Sequence, residues 1–156
     1  MPPETSISLL RDFFNRSLSQ EAVKPLREGI ELAVYIDEMG PVTLMKSGGK
    51  AEIREAAPVN PDMTFRTTTE ALKNLEETKT EDIGEIGIAL CKLMLSSDPK
   101  VFLKARVHIG LFELFSHGYL GVIPLGGASL TKFLASHGFG SIGKIKDAIS
   151  KLRNNG

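Results

Sequence analysis

Few residues in this chain are of types that do chemistry, and their spacing is informative. Ser-His-Gly-aromatic occurs twice, as Ser116-His117-Gly118-Tyr119 and as Ser136-His137-Gly138-Phe139. Serine beside histidine invites a nucleophile, and two histidines invite a metal. Each repeat also closes a helical pattern. Glycine just past a last turn takes the left-handed conformation, and histidine in that turn favours the negative end of the helix dipole. Capping therefore explains both repeats, and a metal would need a third ligand. The remaining histidine, His108, falls on the polar side of its strand. Glu113 is the only acid between Asp98 and Asp147. Buried, it would have a raised pKa and could act as an acid or base; its helical neighbours Gly110 and His117 argue for exposure. Asp37 and Glu38 read as turn residues, with Asp37 the other carboxylate able to serve as a base.

The established catalytic patterns are missing. There is no G-x-S-x-G elbow, no phosphate loop and no G-x-G-x-x-G opening a helix. Gly48-Gly49-Lys50 is a hairpin turn. The expectation is a chain with no catalytic residue, no metal and no cofactor.

Composition sets the frame. The 156 residues suit one domain spanning 1–156, large enough for a core without staples. The single Cys91 fits a reducing compartment. No apolar run approaches the roughly eighteen residues of a membrane span, and Met-Pro-Pro-Glu lacks the basic start of a signal peptide. A cytoplasmic location is expected. Net charge is zero, but residues 1–85 hold 16 acids and 10 bases, while residues 86–156 hold 3 and 9. Either solvated faces differ, or the basic half is turned toward an anionic lipid or partner. No dense basic stripe with interleaved aromatics points to nucleic acid.

The elements that must position these residues begin with a meander from Ile30 to Thr69. Ile30, Leu32, Val34 and Ile36 alternate with Glu31, Ala33, Tyr35 and Asp37, the period of a half-buried strand. Val42 and Leu44, Ala51 and Ile53, and Met63 and Phe65 continue the dry face. Breaks are expected at Met39-Gly40-Pro41, at Gly48-Gly49 and at Pro58–Pro61. Before the meander, Ile7, Leu10, Phe13, Phe14 and Leu18 predict a helix over 5–19, capped by Thr5 or Ser6, whose apolar side seeks the dry face. A short second helix over 20–28 is expected to end near Gly29.

After the meander, Thr68 or Thr69 caps a helix over 70–76. Residues 81–96 form the most apolar helix, with Gly84 and Gly87 permitting close approach. It is a core helix, or one side of it lines an apolar cavity. Val101 to Ile109 alternate with basic residues as a fifth strand. Helices follow over 111–117, 128–137 and 141–153, the last with Ile142, Ile145, Ile149 and Leu152 on one side and Lys144, Lys146, Lys151 and Arg153 on the other. Between them, Gly118 to Gly127 is continuously apolar. Leu120, Val122, Ile123 and Leu125 make it a lid, a membrane-touching tip or a partner surface, unless the last helix folds over it.

This order resembles the sterol carrier protein type 2, or non-specific lipid-transfer, domain. The carriers of the resemblance are Pro61-Asp62 before an alternating strand, the cap and helix at Thr69-Glu70-Ala71-Leu72, then Asp98-Pro99, Phe102, a basic strand and Gly110. They cover roughly residues 30–75 and 98–110. Ala105 stands where the family usually has glycine, residues 77–97 are longer than its link, and the tail differs. The resemblance implies an α/β (α+β) fold, a five-stranded mainly antiparallel sheet covered on one face by helices, with a core over 30–110 and a helical extension over 111–156. It also implies an apolar tunnel between sheet and helices for a fatty acyl chain, sterol or phospholipid, bound or transferred without catalysis. Leu90, Met94, Phe112, Phe115 and Phe133 are the expected lining. Such a pocket gains roughly 0.8 kcal/mol per buried methylene and needs few polar groups. The alternatives are a small enzyme using Glu113 or Asp37 on an apolar substrate, and an accessory that presents a lipid-like intermediate to biosynthetic enzymes. The basic last helix is a candidate for transient membrane contact.

Overall fold

The computed structural model describes residues 3–138 and 142–155. Phe139 of the second repeat, the Ser141 start of the last helix and the terminal residues Met1, Pro2 and Gly156 lie outside the described residues, as do the side chains of Ile142 and Ile145.

Five strands form one mixed sheet: β1 (Glu31–Ile36), β2 (Met39–Ser47), β3 (Lys50–Arg54), β4 (Met63–Thr67) and β5 (Leu103–Val107). Their order is β3-β2-β1-β4-β5, so β3 and β5 are the outermost strands. β1 and β4 run parallel, pairing Val34 with Phe65, and the other three pairings are antiparallel. The sheet is therefore mainly antiparallel, and the fold is α+β as expected.

The dry face follows from alternation. Leu32, Val34, Ile36, Val42 and Leu44 are buried on it. Helix α1 (Glu4–Asn15) lands there, and its Ile7 and Leu10 join those strand residues, Ala51 and Leu72 in one cluster. Each fully buried aliphatic side chain contributes about 1.5–3 kcal/mol, so this is the main source of stability. The cap residues expected for α1 do not act as caps. Pro3 holds the cap position, and Ser6 sits buried in the first turn with its hydroxyl 2.7 Å from that of Thr69.

The predicted 5–19 helix breaks at Arg16, whose backbone is extended. A second helix, α2 (Ser17–Ala22), follows and takes Leu18 with it; it ends well before Gly29. The cause is tertiary. Arg16 donates to the carbonyls of Glu76 and Thr78, the latter at 2.9 Å, and Ser19 donates to the Phe13 carbonyl at 2.6 Å. These bonds offset a broken helical ladder that local propensity would have kept.

A further correction concerns the first hairpin. Met39-Gly40-Pro41 belong to β2, and the turn is Asp37-Glu38, both with positive φ (53° and 67°). The ladder slips between Val34 and Ile36, and this irregularity accommodates a proline in a strand. Asp37 is held by bonds that reward its conformation: its carboxylate accepts from the Thr69 backbone N–H (3.1 Å) and hydroxyl. Gly48-Gly49 forms the expected turn, with φ of 61° and 80°.

Helix α3 (Thr69–Glu77) is capped by Thr68, whose hydroxyl accepts from Ala71 N–H at 3.1 Å. Helix α4 (Ile83–Leu95) is capped by Asp82, which accepts from Gly84 N–H at 2.9 Å. A second cluster joins Phe13, Ala71, Leu75, Ile86 and Leu93, so α4 shares a core with α1 and α3. Helices α5 (Leu111–Ser116), α6 (Gly127–Ser136) and α7 (Ile142–Asn155) complete the chain. Gly84 meets the Gly126 carbonyl and Ser129, and Gly87 meets Leu130, so α4 and α6 approach closely. Helix α7 packs beside β5.

Candidate functional site

The apolar residues expected to line a tunnel differ widely in exposure. Leu90 and Phe133 are partly buried, and Leu90 packs beside the second cluster. Met94 is 39% exposed, Phe112 81% and Phe115 69%. Helix α5 instead turns Leu114 inward, at 2% exposure. The helix is six residues long, and only one face of it meets the fold. The 118–127 segment is not an open loop. It folds into two 3-10 turns, Tyr119–Gly121 and Ile123–Gly126, with Leu120, Val122 and Ile123 half-buried and Leu125 exposed.

The carboxylates weighed as bases are both exposed. Glu113 accepts weakly from the Gly110 N–H at 3.4 Å, as the acid of a helix start. Asp37 is engaged with Thr69. Neither sits in an apolar pocket.

The first Ser-His-Gly-Tyr repeat does more than end a helix. Gly118 is left-handed, at φ 91°, as capping requires. Its neighbours reach a residue that spacing never linked to them. Asp62 is buried at the entry to β4, and its Oδ2 accepts from His117 Nδ1 and from the Tyr119 hydroxyl, each at 2.8 Å. Asp62 also donates its N–H to the Glu31 carbonyl and accepts from His108 N–H, both at 2.9 Å. One residue thus joins four parts of the fold: its backbone ties β4 to β1 and to the end of β5, and its carboxylate holds the turn after α5. Burial and the Asp62 carboxylate together push the Tyr119 phenol far above its ordinary value of 10.0. Ser116 does not face His117. It donates to the Glu113 carbonyl at 3.2 Å, so no nucleophile is aligned with the histidine. In the second repeat, His137 Nδ1 lies near Ser136 and the Phe133 carbonyl on an exposed helix end.

A pH prediction follows. Below pH 10 the folded and unfolded chains both hold the phenol proton. Above it the unfolded chain releases that proton first, so folding stability falls as pH rises, by up to about 1.4 kcal/mol per unit. Tyr119→Phe should lower stability at pH 7 by about 1–2 kcal/mol through the lost bond to a charged acceptor. It should also flatten the decline between pH 10 and 12. Urea unfolding across that range checks both.

Another buried group escaped sequence reading. Lys46 follows Val42 and Leu44 on the dry face, and its ammonium donates to the carbonyls of Lys24 and Leu26 at 2.9 and 2.7 Å. It serves as a fixed donor for the chain leaving α2.

The described surface includes two depressions of note. The larger, about 710 Å³, lies among Arg16, Ser17, Leu18, Glu76, Lys79, Thr80 and Glu81. The smaller, about 180 Å³, lies on the sheet's open face among Tyr35, Thr64, Arg66, Lys104, Ala105, Arg106 and His108. The first has charged walls, and the second is basic. No helix among the described residues is long and apolar enough to cross a membrane.

No protein-family model matches the chain, and no curated protein matches it. Among solved structures it is similar to one described as "UbiJ-SCP2 Ubiquinone synthesis protein", at 18% identity and a TM-score of 0.44, covering 78% of this chain and 92% of that chain.

Proposed function

We propose that the chain is a single non-catalytic unit, residues 1–156, that binds a hydrophobic ligand such as a fatty acyl chain, a sterol or a phospholipid. The observation that carries this reading is the apolar surface left over in the helical half. Helix α4, IGEIGIALCKLML, buries only Gly84, Ile86 and Leu93. Its Leu95 is 53% exposed, and Phe112 and Phe115 are more so. Exposed apolar area of this kind marks a binding surface. Because α1 fills the dry face of the sheet, the ligand belongs against the helices. Leu90, Met94, Phe112, Phe115 and Phe133 are its contacts in this reading, with Leu120, Val122, Ile123 and Leu125 as the covering segment of the 111–156 extension. Methionine suits varied ligand shapes.

The exposure of Phe112 and Phe115 also favours a second reading, in which they meet a protein to which the ligand is presented. Lys146, Lys151 and Arg153 are exposed on α7 and would favour transient contact with an anionic membrane. An intracellular setting fits the single Cys91, whose thiol burial pushes up and leaves poorly reactive.

Native mass spectrometry of the purified chain should show a co-purified lipid, and a fluorescent fatty acid should bind it. Phe112→Ser combined with Phe115→Ser should weaken binding by about tenfold or more, the loss of roughly 1.4 kcal/mol of apolar contact. A chain that carries no lipid and binds no fatty acid would sink the reading. Binding undiminished in the double variant would remove the two phenylalanines from it.

A further inference from the structure

We infer that the open face of the sheet carries a binding site for a phosphate-bearing anion, of diphosphate or phosphomonoester class. The site lies on the face turned away from α1 and is independent of the hydrophobic-ligand reading.

Alternation and register build it. Tyr35, Arg66 and Lys104 form one row across β1, β4 and β5, since Tyr35 pairs with Arg66 and Arg66 with Lys104. Thr64 pairs with Arg106 in the next row, and His108 follows Arg106 by two residues on the same side. These side chains line the 180 Å³ groove. Arg66, Lys104, Arg106 and His108 are all exposed.

Their charge is not cancelled. Among the described residues, no carboxylate lies within ion-pair distance of any of the four. Glu31, also on the open face, is taken by Arg54 at 2.8 Å. Like charges directly opposite across a strand pair are destabilising, and Arg66 sits directly across from Lys104. The described residues supply no counter-charge for this repulsion, whereas an anion in the groove would reverse its sign.

The groups are also arranged. The Arg66 guanidinium lies over the Tyr35 ring, 4.3 Å from its centre, and the Lys104 ammonium lies 5.1 Å from the centre of the Phe102 ring. Such stacking holds a guanidinium flat and leaves its edge N–H groups free for two-point contact with phosphate oxygens. Thr64 Oγ1 and His108 Nε2 lie 2.7 Å apart and fix the groove's other wall. Three permanent cations match a diphosphate better than a carboxylate, because a phosphomonoester alone carries about −1.5 to −2 at neutral pH. A concave site of this size fits one such group.

Inorganic pyrophosphate titrated into the full chain should shift the backbone amide NMR signals of residues 64–66 and 104–108, with a Kd at or below about 1 mM. Arg66→Ala with Arg106→Ala should weaken this by about tenfold or more. Both positions are exposed, and the repulsion they feel is relieved. The unliganded double variant should therefore melt no lower than the parent, which separates a lost site from a lost fold. A second arm uses phosphatidylcholine vesicles with and without phosphatidic acid. Pyrophosphate binding assigns the site to soluble phosphorylated ligands. Binding to phosphatidate vesicles alone, lost in the double variant, assigns it to a lipid headgroup. Failure of both arms, or binding that the double variant retains, overturns the proposal.

Discussion

Gly118→Ala is expected to cost more than about 3 kcal/mol and to lower the melting temperature by roughly 10 °C. Two effects add. The residue sits at φ 91°, where a β-carbon is strained by about 1 kcal/mol or more. The added carbon would also run into the Pro25 carbonyl and the Leu26 backbone, and neither is a flexible side-chain end that can swing away. The two segments are already joined there, because Arg27 N–H donates to the His117 carbonyl at 2.8 Å. Relief of the clash means lifting the 117–121 segment off residues 25–27, which breaks that bond and pulls His117 and Tyr119 from Asp62. Gly138→Ala is the control. Its φ is 85°, yet nothing among the described residues lies within reach of a new carbon, so only the conformational cost of about 1 kcal/mol is expected. Urea denaturation of both variants beside the parent measures the difference. Equal costs would show that the approach to Pro25 is looser than the geometry has it.

Asp62→Ala is expected to cost about 3–5 kcal/mol. The carboxylate is buried and serves two donors, and its removal strands the Tyr119 hydroxyl and the His117 Nδ1 proton. The variant should lose more than Tyr119→Phe and His117→Ala each lose singly. The double variant Asp62→Ala with Tyr119→Phe should cost less than the sum of its parts, because the phenol no longer lacks an acceptor. Strict additivity in that cycle would mean that the 2.8 Å contact contributes nothing.

Most of the sheet was legible because each strand has one dry side, and a period of two shows in the residues themselves. The Gly48-Gly49 hairpin, the Thr68 cap and the α4 helix were equally plain. What could not be read lies where distant segments decide. Arg16 ends a helix because carbonyls sixty residues away accept its N–H groups. Asp37 and Glu38 read as turn residues, but the entry of Met39-Gly40-Pro41 into β2 straight after them did not show, because Thr69 holds the tight turn from across the fold. The Asp62, His117 and Tyr119 cluster joins positions more than fifty residues apart, so the Pro61-Asp62 strand entry and the doubled Ser-His-Gly motif were each visible but their meeting was not. The basic face of β5 was visible as an alternation, but Arg66 and Tyr35 join it only through the β4–β5 and β1–β4 pairings. Size and apolarity alone do not tell which side of a six-residue helix meets the core. At α5 that side belongs to Leu114.

The shortness of the outermost strands bears on how copies of this molecule behave when crowded. β3 and β5 are five residues each, against nine for β2, and carry Lys50, Glu52 and Arg54 on one flank and Lys104 and Arg106 on the other. A border strand leaves a row of unmatched N–H and C=O groups that a second chain could zip onto, and charges along it discourage that growth. On the β5 side α7 also stands in the way. Clumping, where it occurs, would start from Phe112, Phe115 and the bare flank of α4, giving shapeless precipitate in place of fibres.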